Sequence, residues 1–138
     1  MRNMGFGAAV LGLVLGLAGS AGAQVYDCAI SVGASQNGFI TNRYIFDYDA
    51  DAVSVKVLDG IIQHEKGGPI PGKVASETSK KLGFTWSVKM STNSGESIRM
   101  AYRASFIKAT KAMQISAVPE GGNYSGGFDA RGSCKLAQ

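Results

Sequence analysis

Apolar and polar residues alternate along most of this chain with a period of two. The clearest run is Phe84-Thr85-Trp86-Ser87-Val88-Lys89-Met90. Phe84, Trp86, Val88 and Met90 fall on one face; Thr85, Ser87 and Lys89 fall on the other. That period is the mark of a strand with one buried face. Residues 98–106 repeat it, and Thr92-Asn93-Ser94-Gly95 between the two runs supplies turn chemistry, so a hairpin is predicted. Residues 52–57 make a third clear strand. Weaker alternation predicts strands over 25–32, 39–47, 73–79, 111–118 and 124–134. Turns are predicted at Gln36-Asn37-Gly38, at Lys81-Leu82-Gly83 and at Pro119-Glu120-Gly121-Gly122-Asn123. No amphipathic helix is predicted. Many short strands with regular turn signals indicate an all-β fold. An antiparallel up-and-down barrel of about eight strands is expected, with a β-sandwich as the alternative.

The two cysteines choose between these counts. Cys28 and Cys134 are the only ones, and they lie near opposite ends of the strand-forming region. The ambiguous stretch is 59–72: either Asp59-Gly60 is a hairpin turn before an extra strand, or the whole stretch is a loop. In an up-and-down barrel with an even number of strands, the first and last strands are antiparallel neighbours. The start of the first then lies beside the end of the last, as a Cys28–Cys134 bond requires. A ninth strand would separate the two cysteines. Eight strands and a long loop are therefore expected. Strand parity puts Cys28 on the face of Tyr26, Ile30 and Val32. It puts Cys134 on the face of Phe128, Ala130 and Gly132. Both sulfurs should point inward.

The first 23 residues read differently. One positive charge, Arg2, precedes a glycine-rich apolar run from Phe6 to about Leu17. Ala21-Gly22-Ala23 then has the small-residue pattern of a signal-peptidase site. A cleaved signal peptide over 1–23 and a single all-β domain over 24–138 are expected. The Gly12 and Gly16 spacing also fits a helix-dimer face of a membrane anchor. The short, glycine-rich core and the cleavage pattern favour removal. No cysteine stands at the cleavage point, so no lipid anchor is expected. The location is then periplasmic or secreted, where a disulfide forms and persists. No membrane span is expected in the mature chain.

Composition adds charge asymmetry. At 45% hydrophobic and 17% charged, the chain has enough apolar residues for a packed core, which excludes a disordered segment. From Gln24 to Asp59 only Arg43 and Lys56 are basic, against Asp27, Asp47, Asp49, Asp51 and Asp59. From Gly60 onward eleven basic residues face five acidic ones. Such an imbalance either solvates the surface or marks an anionic partner, such as an envelope lipid, a polysaccharide or an acidic protein. Nucleic acid is not among the expected partners.

Candidate chemistry is sparse. His64 is the only histidine, and no nucleophile motif accompanies it, so no catalytic residue is assigned. One histidine and a cysteine pair already expected as a disulfide do not make a transition-metal site. Asp47-Tyr48-Asp49-Ala50-Asp51 opens like a calcium loop. Ala52 and Leu58, however, stand where such a loop needs glycine and a bidentate glutamate. An acidic turn is the expected reading. Gly121-Gly122-Asn123-Tyr124-Ser125-Gly126-Gly127 lacks the lysine of a phosphate loop. It is read as a turn followed by a bulge, and Asn123-Tyr124-Ser125 is a glycosylation sequon in a eukaryotic host. No metal or cofactor is expected. Two features remain. The stretch His64-Glu65-Lys66-Gly67-Gly68-Pro69-Ile70-Pro71-Gly72 is a candidate binding loop, stiffened by Pro69 and Pro71. Lys89, Arg99 and Arg103 form a candidate anion-binding stripe on one outward face, with Lys89 across the hairpin from Arg99.

Three stretches carry a resemblance. They are Phe46-Asp47 leading to Val53-x-Val55-x-Val57, then Phe84-x-Trp86-x-Val88, then Tyr124-x-Gly126-x-Phe128-x-Ala130-Arg131-Gly132-x-Cys134. In these the chain resembles small secreted proteins of Gram-negative bacteria, and its layout looks like a calycin barrel. The resemblance implies a secreted barrel and no activity. The first-strand G-x-W signature of lipocalins is absent, so lipocalin-type transport is not implied. The expected function is a non-catalytic binding or interaction module. The alternative is a carrier of a small apolar ligand inside the barrel. Large inward residues (Trp86, Met90, Met100, Tyr102, Phe106, Phe128) argue against an open interior.

Overall fold

Eight antiparallel strands close on themselves in chain order. The structure is a computed structural model and describes residues 22–33, 38–91, 94–120 and 126–137. The strands are β1 (Ala23–Ser31), β2 (Arg43–Asp49), β3 (Ser54–Leu58), β4 (Ile70–Glu77), β5 (Lys81–Ser91), β6 (Ser97–Ile107), β7 (Ala112–Pro119) and β8 (Phe128–Leu136). Each pairs with its sequence neighbour, and β8 pairs with β1 to close the barrel. Closure selects the barrel over the sandwich. Residues 1–21 of the expected signal peptide lie outside the described residues. So do most of the Gln36-Asn37 and Gly121–Ser125 turn residues, including the sequon, and the Thr92-Asn93 part of the hairpin turn. Of the last two residues of the expected signal peptide, Gly22 is described and Ala23 opens β1, paired with Asp49.

The predicted hairpin is the longest pairing in the barrel. β5 and β6 pair from Lys81↔Ile107 to Ser91↔Ser97, with Trp86 opposite Tyr102. Alternation along β6 is strict: Ile98, Met100, Tyr102, Ala104 and Phe106 are buried, and Arg99 and Arg103 are exposed. The β1–β8 register sets Cys28 opposite Cys134, and the two form a disulfide. Both cysteines are buried, as strand parity required.

Aromatic rings fill the interior. Trp86 and Tyr102 stack with centroids 5.3 Å apart and planes 3° from parallel. Phe46 meets Trp86 at 5.5 Å and Phe84 at 5.2 Å, while Tyr26 meets Phe106 at 4.8 Å. Rings at these separations gain beyond simple area burial. Ala104, Ala117 and Ala130 also point inward and are buried. Small residues set among large ones let the rings interdigitate in so narrow a barrel. Phe128 is half-buried and packs on Phe39 at 5.3 Å.

The stretch 59–72 is neither a long loop nor an extra strand. It contains one helix, α1 (Gly60–Lys66), and the start of β4. Asp59 caps the helix: its Oδ1 accepts from the Ile62 amide at 2.8 Å. Gly67 ends it at φ 80, and its N–H donates to the Gln63 carbonyl. An Asp N-cap and a left-handed glycine are ordinary helix boundaries. Seven residues are too few for a 3.6-residue period to stand out, so the caps were the available signal. Ile62 is fully buried and pins α1 over one barrel end. The strand count stays at eight because a helix, not a strand, occupies the segment.

Two smaller expectations also change. Lys81-Leu82-Gly83 is not a turn; it begins β5. The turn sits one step earlier, where Thr78 Oγ1 accepts from the Lys80 and Lys81 amides at 3.2 and 3.0 Å. Gly83 serves a close approach instead: a Cβ there would sit 2.6 Å from Ser76 Oγ, beside the bulge between Val74 and Ser76. In the acidic segment, Asp47 and Asp49 belong to β2. Asp49 Oδ1 accepts from the Asp51 and Ala52 amides at 3.0 and 3.2 Å, which commits that carboxylate to the turn.

Candidate functional site

The outer face of β4–β7 carries a surface depression. Its volume is about 630 Å³, and it is lined across four strands by Pro71, Thr85, Ser87, Ala101, Arg103 and Val118 among others. Register explains its shape. Lys73 stands opposite Thr85, Thr85 opposite Arg103, and Arg103 opposite Ser116. Two residues along the strands, Ser87 stands opposite Ala101, and Ala101 opposite Val118. Two residues further, Lys89 stands opposite Arg99. Three cross-strand rows result. The middle row is uncharged, with small side chains at its centre and Pro71 and Val118 towards its ends. The outer rows carry cations: Lys73 and Arg103 line the depression, while Lys89 and Arg99 lie in the row beside it.

Two basic groups among the described residues are ion-paired. Arg43 is held by Asp27, with Nε and Nη2 donating at 3.0 and 2.8 Å. That pair holds the Asp27 carboxyl below its ordinary value, through the hydrogen bonds first. Lys108 is held by Glu77 at 2.7 Å. Among the described residues, Lys73, Lys89, Arg99 and Arg103 make no ion pair. Like charges directly opposite are unfavourable without a counter-ion, as Lys89 and Arg99 are. Negative charge ends both outer rows: the Glu120 amide donates to the Arg99 carbonyl at 2.8 Å, which sets Glu120 beside Arg99, and Asp129 stands opposite Ser116 in the Arg103 row. Glu120 lines the far end, and Asp129 accepts from Ser116 Oγ at 2.7 Å.

The candidate loop is divided by the structure. His64, Glu65 and Lys66 belong to α1, Pro69 to the connection after it, and Pro71 to β4. His64 and Lys66 are exposed, and their place in the last helical turn suits the helix dipole. Among the described residues, no three His, Cys, Asp or Glu side chains converge. Pro71 joins the uncharged row; it pairs with Lys56 in a β3–β4 ladder of only three residue pairs. Lys73, Ser87, Ala101 and Val118 were missed by sequence reasoning. Their neighbourhood exists only once the register of four strands is known, although Lys89 beside Arg99 was readable from one hairpin.

The barrel end under α1 is tied shut. Thr41 Oγ1 donates to Asp59 Oδ2 at 2.6 Å, and the Thr41 amide donates to Tyr44 Oη at 3.2 Å. Tyr102 Oη donates to the Phe39 carbonyl at 2.6 Å. Ile40 and Ile62 are buried beneath this layer. Burial raises both phenols well above their ordinary value, and the Asp59 carboxylate adds to the effect at each. These bonds join the segment before β2 to α1 and to the aromatic core, and they satisfy polar atoms that would otherwise be stranded.

No family model, curated protein or solved structure matches this chain. Function is therefore argued from its own residues.

Proposed function

We propose that this chain is a non-catalytic binding module of the periplasm or extracellular space, and that it engages an anionic partner through the outer face of β4–β7. One observation supports the reading: Lys73 and Arg103 line an outer trough, Lys89 and Arg99 stand in the next row along the strands, and aromatic side chains pack the barrel interior. Exposed charge complementarity steers encounter and selects partners. The cysteine pair suits an oxidising compartment, and the amino-terminal leader gives the route there. A carrier of a small apolar ligand would need the space that Trp86, Tyr102, Phe46 and Phe84 now occupy.

The test is binding to three anionic probes, a polyuronate, polyglutamate and anionic vesicles, by wild type and by Arg99→Ala/Arg103→Ala. At least one probe should bind wild type and weaken as salt rises, because exposed charges are screened beyond about 8 Å at physiological ionic strength. The double variant should lose that binding. Equal binding by both proteins at every salt concentration refutes the proposal. An apolar molecule co-purifying inside the barrel favours the carrier instead.

A further inference from the structure

We infer that the β4–β7 depression takes a phosphate monoester, with the phosphate seated over Thr85 between Lys73 and Arg103. This rests on the anionic-partner reading and goes beyond it by naming the ligand group and the two cations that hold it.

One cross-strand row supplies the seat. Lys73 stands opposite Thr85, and Thr85 opposite Arg103. All three line the depression. Strand spacing puts the two cation Cα atoms about 9–10 Å apart, with Thr85 midway. Thr85 is half-buried, whereas Lys73 and Arg103 are exposed. Two long side chains on either side of a short hydroxyl can bend over it and share one group. Neither cation makes an ion pair among the described residues.

Distance separates this pair from the other charges of the face. Lys89 and Arg99 lie four residues further along β5 and β6, about 13 Å away. Asp129 is three strands from Thr85, about 14 Å, and its carboxylate accepts from Ser116. Glu120 stands beside Arg99, two strands across and four residues along from Thr85, about 16 Å. Each separation exceeds the screening length of about 8 Å at physiological ionic strength. An anion over Thr85 therefore meets Lys73 and Arg103 first.

Charge then chooses the ligand group. Two adjacent cations gain most from one compact group that carries two charges. A phosphate monoester carries about −1.5 to −2 at pH 7 and presents three strong acceptor oxygens. The planar Arg103 fork can take two of them, the Lys73 ammonium acts as a point charge, and Thr85 Oγ1 adds a neutral donor. A carboxylate or a phosphodiester brings a single charge and leaves one cation uncompensated. The rest of the depression suits the carbon skeleton. Ser87, Ala101 and Val118 are uncharged, and a volume of about 630 Å³ lies within the range of small-molecule sites. Glu120 at the far end keeps the charged end of the ligand over Thr85.

The experiment has a soluble arm and a membrane arm. Glycerol phosphate, a monoester, and dimethyl phosphate, a diester, are titrated into the purified protein by calorimetry. Phosphatidylcholine vesicles carrying phosphatidic acid, a monoester, or phosphatidylglycerol, a diester, are sedimented with it. The variants are Lys73→Ala, Arg103→Ala and Arg131→Ala, the last an exposed cation of β8 outside this row. Circular dichroism establishes folding, and Arg103→Lys, which keeps the charge and loses the fork, serves if Arg103→Ala does not fold. The monoester should bind roughly tenfold more tightly than the diester, and Lys73→Ala or Arg103→Ala should each weaken it by about tenfold, the loss of one charge-assisted contact. Arg131→Ala should leave it unchanged. A preference in the soluble arm assigns a free phosphate ester; a preference on vesicles alone assigns a lipid headgroup. If no monoester outbinds its diester in either arm, or if Arg131→Ala weakens binding as much as Lys73→Ala, the phosphate inference fails. The anionic-partner reading then still stands on the response of its own probes to Arg99→Ala/Arg103→Ala, and fails only if none of them responds.

Discussion

Trp86→Ala tests the packing on which the whole barrel rests. Trp86 is 6% exposed, stacked on Tyr102, edge-on to Phe46 and within 5.9 Å of the Tyr44 ring centroid. An aromatic side chain of this size removes about 200 Å² from water. At about 25 cal/mol per Å² this gives an upper figure of about 5 kcal/mol, since unfolded chains already hide part of that area. Loss of ring–ring contacts adds about 0.5–1.5 kcal/mol. Relaxation of the neighbours subtracts, but β5 is held to β6 along its whole length, which limits collapse. The expected loss is therefore about 3–5 kcal/mol, the range seen when large buried aromatics are truncated. Urea unfolding reads it, followed by far-ultraviolet circular dichroism because Trp86 is the only tryptophan. The midpoint should fall with the slope unchanged. Trp86→Phe, which keeps a ring against Tyr102, should lose markedly less. A loss under about 1 kcal/mol for Trp86→Ala, the scale of surface substitutions, would refute the packed interior.

Three further outcomes are expected. Cys28→Ala/Cys134→Ala opens a bond that spans 106 residues of chain; the chain-entropy model gives a loss of about 4–5 kcal/mol as an upper guide, and an unchanged urea midpoint would refute the bond's role in closure. Gly132→Ala should cost about 1–3 kcal/mol or more in the same assay, because the added Cβ would run into the Ala29 carbonyl on a strand pinned by the disulfide. Tyr44 and Tyr102 are held neutral when folded, so stability is full below about pH 10 and falls above it by about 1.4 kcal/mol per pH unit for each phenol. Tyr102→Phe should flatten that decline, and phenolate absorbance of both groups rising near pH 10 in protein that stays folded would contradict it.

Strand order was legible because Phe84–Met90 and 98–106 alternate so cleanly that face and hairpin follow together. The cysteines then fixed the parity of the count. The boundaries were less legible where local chemistry and long-range pairing compete. Lys81-Leu82-Gly83 has a glycine and a lysine and reads as a turn, yet Gly83 is there so that Ser76 can approach across the β4 bulge. Helix α1 hid for a different reason. Its evidence is two caps around seven residues, and its stability comes from burying Ile62, which no local pattern displays. The trough was half visible: two arginines on one strand and a lysine across a hairpin could be read. Lys73 and the Ser87–Ala101–Val118 row depended on pairings between strands that the sequence indicates only weakly.

The barrel separates two kinds of residue, and that separation makes the functional reading testable. Inward positions are committed to packing: a change at Phe46, Trp86 or Tyr102 alters stability first. Every strand has a neighbour on each side, although the β3–β4 ladder is only three residue pairs long. Recognition then falls to outward side chains, which the fold does not otherwise constrain. Arg99 and Arg103 are exposed and make no ion pair among the described residues, so replacing them should shift stability by no more than about 0.5 kcal/mol. Removing two like charges from one face tends to stabilise by relieving repulsion, most of all at low salt, where binding to an anion is strongest. Arg99→Ala/Arg103→Ala should therefore keep or raise the urea midpoint while it abolishes anion binding. If the double variant is instead clearly less stable than wild type, the two arginines belong to the fold, and the trough loses its claim to be a binding site.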